Sequence, residues 1–219
     1  MIYGIISDIH SDINALEKVM NSIKIKDVDQ IFCCGDMIGY GNNPEEVIEL
    51  LRLNNVSCVT GNHEQALFDD LEFAAINSVA QKAIEKHYSL LSDNSMEYLE
   101  ELPSSFTHKN MRIVHGVPPY SFTEYIHYQS YDAIINAFDG YKEQLAFCGH
   151  THLTSIIKYD RCNIAYDKKI IYGKAYKLCN ELRYIINVGS VSLPRGQNKE
   201  KAQFVIYDNK KQEVQFYEV

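Results

Sequence analysis

Short apolar runs alternate with amphipathic stretches through the first third of the chain. Ile2 to Ser7, Gln30 to Cys34 and Val56 to Thr60 read as strands, and Asn14 to Lys26 and Pro44 to Asn54 as helices, a β-α-β-α-β rhythm. Asn43-Pro44-Glu45-Glu46 predicts the start of the second helix, with a cap residue, proline at the first helical position and Glu three residues after the cap. From Gln65 to Leu102 the pattern turns helical. Ala74, Ala75, Val79, Ala83 and Ile84 fall near helical spacing, and a helix from Ser95 to Leu102 is stopped by Pro103. This block is expected to cover one face.

Ser105 to His108 and Met111 to His115 flank Lys109-Asn110, which predicts a hairpin with a two-residue turn. Pro118-Pro119 forces an irregular loop. Tyr131 to Phe138 is expected to be helical and Leu145 to Cys148 a strand. From Ser155 onward the chain is mostly β, with runs at Ser155 to Tyr159, Tyr184 to Val188, Phe204 to Asp208 and Glu213 to Tyr217. The polar, Lys- and Tyr-rich stretch from Asp160 to Cys179 carries no assignable period. No internal repeat, low-complexity tract or Pro/Gly/Ser linker is present, so residues 1–219 are expected to form a single α/β domain built on two sheets.

Composition then narrows the function classes. The 219 residues are 46% hydrophobic and 23% charged, which suits one domain with a substantial core. Acidic residues number 29 against 21 basic ones, a formal charge of −8, and no basic block offsets them. A long nucleic-acid partner is therefore not expected, because its attraction is to clustered Lys and Arg. The opening MIYGIISDIH meets Asp8 and His10 at once, with no basic flank or cleavage site, so it reads as a buried strand rather than a signal peptide. No apolar stretch approaches the roughly 18 residues of a membrane span. Cys33, Cys34, Cys58, Cys148, Cys162 and Cys179 contain no C-x-x-C pair, and four lie in apolar runs, as expected of small core residues in a reducing compartment. A cytoplasmic protein without a membrane partner, monomeric or a small homo-oligomer, is the expectation.

Five segments share one property: a strand-like apolar run ends abruptly in His, Asp or Asn, usually beside Gly. They are Asp8-Ile9-His10, Gly35-Asp36, Gly61-Asn62-His63-Glu64, His115-Gly116 and Gly149-His150-Thr151-His152. Strand ends on one edge of an α/β sheet converge, and ligands sit in the crevice outside them. If the strands continue extended, the pleat turns Asp8 and His10 the same way, and likewise His150 and His152. Asp8, His10, Asp36, Asn62, His115, His150 and His152 supply carboxylate, imidazole and amide donors without thiolate, a set suited to Mn²⁺, Fe or Zn²⁺. Seven donors exceed one tetrahedral ion but suffice for two ions sharing a carboxylate, the clamp used for in-line phosphoryl displacement. Competing motifs fail. His63-Glu64 lacks the second histidine of a zincin helix at Leu67, and no phosphate-binding glycine loop is present.

The series D-x-H, G-D, G-N-H-[DE], H-G and G-H-T-H, in this order, resembles the motif set of the calcineurin-like metallophosphoesterase superfamily. DIHSDINALE, CCGDMIGYGNNP, VTGNHE, HGVPP, EYI, FCGHTH and INVGSVSLPRG resemble its small bacterial and archaeal YfcE-like branch, which includes dinucleoside polyphosphate hydrolases. The resemblance spans nearly the whole chain. It implies a four-layer α-β-β-α sandwich of two mixed sheets, and a hydrolase that splits phosphodiester or phosphoanhydride bonds of small phosphate-ester or nucleotide substrates, diadenosine tetraphosphate among the candidates. It implies two divalent ions, with Mn or Fe foremost and Zn as an alternative, and in-line attack by a hydroxide bridging them. Asp8, His10, Asp36 and His152 would hold one ion, and Asp36, Asn62, His115 and His150 the other. His63 would face the scissile phosphate as general acid or transition-state stabiliser, with Asp36 the other catalytic residue. Two rival readings stay open: a serine/threonine-type protein phosphatase, and a non-catalytic scaffold of the same fold.

Around this set several residues carry two readings each. Glu64 is either an orienting partner of His63 or a helix-N-terminal carboxylate. Asp12, where many relatives carry Asn, either caps the first helix or places a charge near the metals that disfavours highly charged phosphates. Ser192-Leu193 replaces the Gly-Gln often seen before Pro-Arg, and Arg195 is either a phosphate contact or a surface residue. Asn62, His63, Arg195 and Tyr40 form the expected substrate-binding set. Tyr40, Tyr120, Phe122, Tyr125 and Tyr128 either stack a nucleobase or pack beneath an irregular loop.

Overall fold

The computed structural model describes residues 1–196 and 199–219. Its described strands are β1 (Ile2–Ile6), β2 (Gln30–Cys33), β3 (Ser57–Cys58), β4 (Ser105–His108), β5 (Met111–Val114), β6 (Leu145–Cys148), β7 (Ser155–Tyr159), β8 (Ile164–Asp167), β9 (Ala175–Lys177), β10 (Arg183–Asn187), β11 (Gln203–Asp208) and β12 (Glu213–Glu218). They form two six-stranded mixed sheets, ordered β3-β2-β1-β11-β12-β9 and β4-β5-β6-β10-β7-β8. In the first, β1, β2 and β3 run parallel, and in the second β5, β6 and β10 do. The pleat decides what each face meets. Tyr3, Ile5, Val205 and Tyr207 point into the space between the sheets, where Ile113, Phe147, Tyr184 and Ile186 meet them.

Alternate residues of the same strands face the helices. Ile6, Phe204 and Ile206 pack under α1 (Ile13–Ile25), which turns Leu16, Val19, Met20 and Ile23 inward, and under α2 (Pro44–Leu53). Asp12 caps α1, its carboxylate accepting the Ala15 N–H at 3.0 Å, so the cap reading of that residue holds. Asn43 differs from expectation. Its side chain makes no cap bond but donates to Glu46 Oε1 at 3.3 Å, while its own N–H is engaged by the Ser11 carbonyl at 3.2 Å. On the far side, Ala146, Cys148, Ile157 and Ile185 pack against Ile134, Ala137 and Phe138 of α7 (Tyr131–Asp139). The result is the expected helix, sheet, sheet, helix layering. Cys33, Cys34, Cys58 and Cys148 are buried in it.

The helical block departs from its predicted phase. It is broken into α3 (Asn62–Gln65), α4 (Asp70–Ala75), α5 (Ser78–Tyr88) and α6 (Asp93–Glu100). Asn77 caps α5, accepting the Val79 and Ala80 N–H groups, and restarts the helical phase. Its buried stripe is therefore Ala80, Ile84 and His87, while Val79 is exposed. Ser92 starts α6 two residues ahead of expectation by capping Ser95 N–H. The unassigned stretch from Asp160 to Cys179 holds β8 and β9, the outermost strands of the two sheets. Both are largely exposed, so neither bears the alternation that marks a half-buried strand. No helix among the described residues is long and apolar enough to cross a membrane.

Candidate metal centre

The five polar segments follow the carboxyl ends of β1, β2, β3, β5 and β6, and the two sheets meet there. The Cys34 carbonyl at the end of β2 accepts from His115 Nδ1 at 2.7 Å, and both oxygens of Asp8 accept the His150 N–H at 3.0–3.1 Å. The seven expected donors gather around two points. Asp8, His10 and His152 surround one, with His152 Nε2 3.2 Å from Asp8 Oδ1 and from His10 Nε2. Asp36, His115 and His150 surround the other, with His115 Nε2 3.0 Å from His150 Nδ1 and 3.2 Å from Asn62 Oδ1. Asp36 lies between them: its Oδ2 is 3.2 Å from His115 Nε2 and 3.9 Å from His10 Nε2.

The convergence is not produced by the pleat. β1 ends at Ile6, and Asp8, His10, Asp36, His150 and His152 take φ values of +48° to +64°. Left-handed residues at these turns fold the chain back so that each side chain points inward, which corrects the extended reading of the Asp8/His10 and His150/His152 pairs. Such conformations are costly for side chains other than Gly, Asn and Asp, and they persist where the surroundings over-determine them. The turns also require close approach. A Cβ on Gly149 would collide with the Ser7 and Asp8 side chains, and one on Gly39, at φ +94°, would collide with the His63 ring.

Every donor histidine is anchored by its outer nitrogen. His10 Nδ1 donates to Ile38 O at 3.0 Å, His115 Nδ1 to Cys34 O at 2.7 Å, His152 Nδ1 to Leu193 O at 2.7 Å and His150 Nε2 to Thr123 O at 3.0 Å. A carbonyl only accepts, so these outer nitrogens carry protons, and each ring, when neutral, turns a lone pair inward. Facing lone pairs at 3.0–3.2 Å repel unless a proton or a cation lies between them. Those separations match donors about 2.1 Å from a shared ion, and the N/O set without thiolate suits a borderline or hard dication. The residues fit the group.

The electrostatics follow from burial and pairing. Burial alone would raise the Asp8 pKa, but His152 outweighs it and holds Asp8 at about 2. Asp36 is likewise driven well down, its burial overridden by His115 and His63. Burial would lower His115, yet Asp36 lifts it to about 9, and Asp8 raises His152 against the same burial. Burial, reinforced by His63, lowers His10 to about 3, and burial with His115 lowers His150 to about 4. Each half thus sets a histidine whose pKa a carboxylate raises beside another whose pKa burial lowers.

Glu64 is the helix-N-terminal carboxylate of α3 rather than a partner of His63, and it reaches further than that reading. It is completely buried, its Oε2 accepts the N–H groups of Asp36 and Gly61 at 2.8 Å, and its Oε1 accepts those of Met37 at 2.8 Å and Ile38 at 3.0 Å. It does close the first turn of α3, but its main work is on the Asp36 turn. Burial, then the Asp36 charge, pushes its pKa up to about 7. His63 has no partner in Glu64. Its Nδ1 is buried without a hydrogen bond among the described residues, its N–H donates to Asp36 Oδ1 at 3.1 Å, and its ring lies against His10 and Tyr40.

Some contributors were not singled out from sequence. Asn187 Nδ2 donates to Gly149 O at 2.6 Å and Thr151 Oγ1 at 2.9 Å, bracing the loop that carries His150 and His152. Ser190 Oγ donates to Asp8 O at 2.9 Å. Their signal was available: β10 ends in Asn187, followed by Val188-Gly189-Ser190, a sixth apolar run breaking into polar residues beside Gly. His87 donates from Nε2 to Gly41 O at 2.8 Å and supports the loop bearing Tyr40.

A cavity of about 300 Å³ opens over Asn62, His63 and His150, walled by Tyr40, Thr123, Tyr125, Glu72, Ala75, Ile76 and Asn77. Of the expected aromatics, Tyr40 and Tyr125 line it, and Tyr125 stacks on His150 at 3.8 Å. Tyr120, Phe122 and Tyr128 do not line it, and Tyr120 and Tyr128 are exposed. Arg195 does not line it either. Its N–H donates to His152 O at 2.8 Å, and its charge acts on Tyr125 and His152.

The profile of the calcineurin-like phosphoesterase superfamily domain matches residues 1–212. Protein MJ0912 of Methanocaldococcus jannaschii is 31% identical over 221 residues, covering 99% of this chain and 86% of its own. A metallophosphoesterase from Sphaerobacter thermophilus superposes with a TM-score of 0.83 at 33% identity, over 100% of this chain and 88% of that one. Protein PH1004 of Pyrococcus horikoshii OT3 shares the fold at 18% identity, with a TM-score of 0.77 over 100% and 87% of the two chains.

Proposed function

The chain belongs to the calcineurin-like phosphoesterase superfamily, and from that premise we propose that it is a dinuclear-metal-dependent hydrolase of phosphodiester or phosphoanhydride bonds in small, nucleotide-type substrates. One observation carries the reading: four backbone-anchored histidines, two buried aspartates and Asn62 converge on two points that share Asp36. In this reading Asp8, His10, Asp36 and His152 hold one ion and Asp36, Asn62, His115 and His150 the other, with Mn²⁺, Fe or Zn²⁺ all compatible with the donors. Two bound dications supply an activated water and neutralise phosphoryl oxygens.

The chain's own residues do the rest. Asp36 spans both halves and so fixes their separation. His63 lines the cavity, and burial keeps its pKa below the usual value, so its ring is neutral near pH 7 and its Nε2 faces Asp36 at 4.0 Å. When a phosphoryl group brings its negative charge beside it, the ring can take up a proton from solvent, and from there it shares charge with that group or hands the proton to the leaving oxygen. Tyr40 and Tyr125 flank the substituent, and Arg195 stands at the Tyr125 and His152 side as an outer phosphate contact. One domain, residues 1–219, carries all of these groups.

The test is Mn²⁺-dependent hydrolysis by the purified protein across bis-p-nitrophenyl phosphate, cyclic nucleotides, diadenosine tetraphosphate and a phosphopeptide, with bound metal quantified. Turnover of the diesters or nucleotides in preference to the phosphopeptide is expected. Turnover confined to the phosphopeptide would turn the assignment to a protein phosphatase, and none with two ions bound would leave a scaffold.

A further inference from the structure

The cavity beside the metal centre carries one feature that the hydrolytic chemistry does not use. Glu72, on α4, lines the same cavity as His63 and His150, and its carboxylate makes no ion pair or side-chain hydrogen bond among the described residues. No Lys or Arg lines the cavity to offset it. Next to it, Asn77 Oδ1 is spent on the cap of α5, while its Nδ2 donates to the Tyr40 hydroxyl at 2.7 Å. That hydroxyl therefore accepts from Asn77 and keeps its own proton to give. The wall offers a free carboxylate acceptor, a free hydroxyl donor and the two aromatic rings of Tyr40 and Tyr125.

Size and charge restrict what can enter. At about 300 Å³ the cavity is at the small end of ligand sites and accommodates one nucleoside-sized group rather than a dinucleotide. A fixed negative charge across such a space lies within about 10 Å of the bound substituent, inside the Debye length. It therefore opposes any further phosphate there and rewards hydroxyl or amino donors.

Resting on the phosphoesterase reading above, we infer that Glu72 is a specificity-determining residue, selecting diesters whose cavity-bound substituent is uncharged and rich in hydrogen-bond donors, a nucleoside, over esters that place additional phosphates in the cavity. The substrate class is then a nucleoside phosphodiester rather than a dinucleoside polyphosphate.

The experiment compares kcat/KM for thymidine 5′-p-nitrophenyl phosphate and for diadenosine tetraphosphate in the metal-loaded wild type, Glu72→Gln and Glu72→Lys, with folding and bound metal checked for each. The wild type is expected to favour the diester. Removing the charge should raise kcat/KM for the tetraphosphate about fivefold, and reversing it should raise it further, as expected for charges near 8–10 Å in a partly solvated cavity. For the nucleoside diester the loss should appear in KM, with kcat little changed. Both variants keeping the wild-type ratio of the two kcat/KM values would overturn the inference alone. A metal-loaded wild type that turns over neither ester would overturn the phosphoesterase reading and this inference with it.

Discussion

The carboxylate of Glu64 accepts the backbone N–H of Asp36 at 2.8 Å, so the residue at the middle of the candidate metal centre is held through its main chain. The same carboxylate takes the next two N–H groups, of Met37 and Ile38, and that of Gly61. A left-handed turn at Asp36 is thereby clamped to the start of α3, the helix that also carries Asn62 and His63. Two loops from neighbouring strands, each carrying candidate ligands, are tied together in this way.

Glu64→Gln keeps the volume but replaces one acceptor oxygen with an NH₂ group facing two N–H donors. The expected cost is about 2–3 kcal/mol of stability, from buried donors left unsatisfied, together with roughly 10- to 100-fold weaker metal binding, as for other groups that orient ligands. Urea denaturation of the metal-free protein and metal titration measure the two effects. Unchanged values in both would show that the clamp is dispensable.

Asp36→Asn and His63→Ala separate metal binding from chemistry. Losing the shared carboxylate should abolish binding of at least one ion and take turnover with it, while the protein still folds. His63→Ala should retain both ions and lose about 10²- to 10⁴-fold in kcat, the range for a positioned proton donor. Metal analysis beside steady-state kinetics decides it, and an active, metal-free Asp36→Asn protein would sink the two-ion assignment.

His115 gives the metal-free protein a definite pH dependence. Its pKa is raised from 6.5 to about 9 because Asp36 outweighs burial. Between these values the folded state binds more protons than the unfolded one, so stability is fully present below about 6.5 and is lost as pH rises through 9. A metal ligand must shed that proton, so ion binding near pH 7 should release about one proton at this residue and tighten as pH rises. Melting temperatures from pH 6 to 9.5 with a chelator present, and proton release on metal addition in weak buffer, check both statements. A metal-free Tm that rises over this interval would contradict the pairing.

Much of this was legible without coordinates. Apolar runs that end in Asp, His or Asn beside Gly announce strand ends with chemistry on them, because nothing in a core needs such residues there. That regularity singled out all seven candidate donors, the resemblance resting on it implied the layered fold, and the cap of α1 was one of two readings open for Asp12. The sequence could not show how the donors face one another. The pleat suggested that Asp8 and His10 share a direction through an extended strand, whereas left-handed turns bring them together, and those turns exist because Glu64, Asn187, Ser190 and Gly149 hold them. Local propensity favours other conformations at these positions, so only long-range contacts select them.

The same division explains the remaining differences. β8 and β9 left no alternation because edge strands with two exposed faces need none. Val79 matched the helical period but points to solvent, since Asn77 restarts the helix and rotates its buried stripe to Ala80, Ile84 and His87. Sequence by itself determined which residue types can bind metal and where most of the strands and helices lie, because periodicity and side-chain chemistry are local. Tertiary structure alone decided that Glu64 serves the Asp36 turn rather than His63, and that Glu72 lines the cavity that opens over Asn62, His63 and His150, because both depend on elements distant in the chain meeting in space.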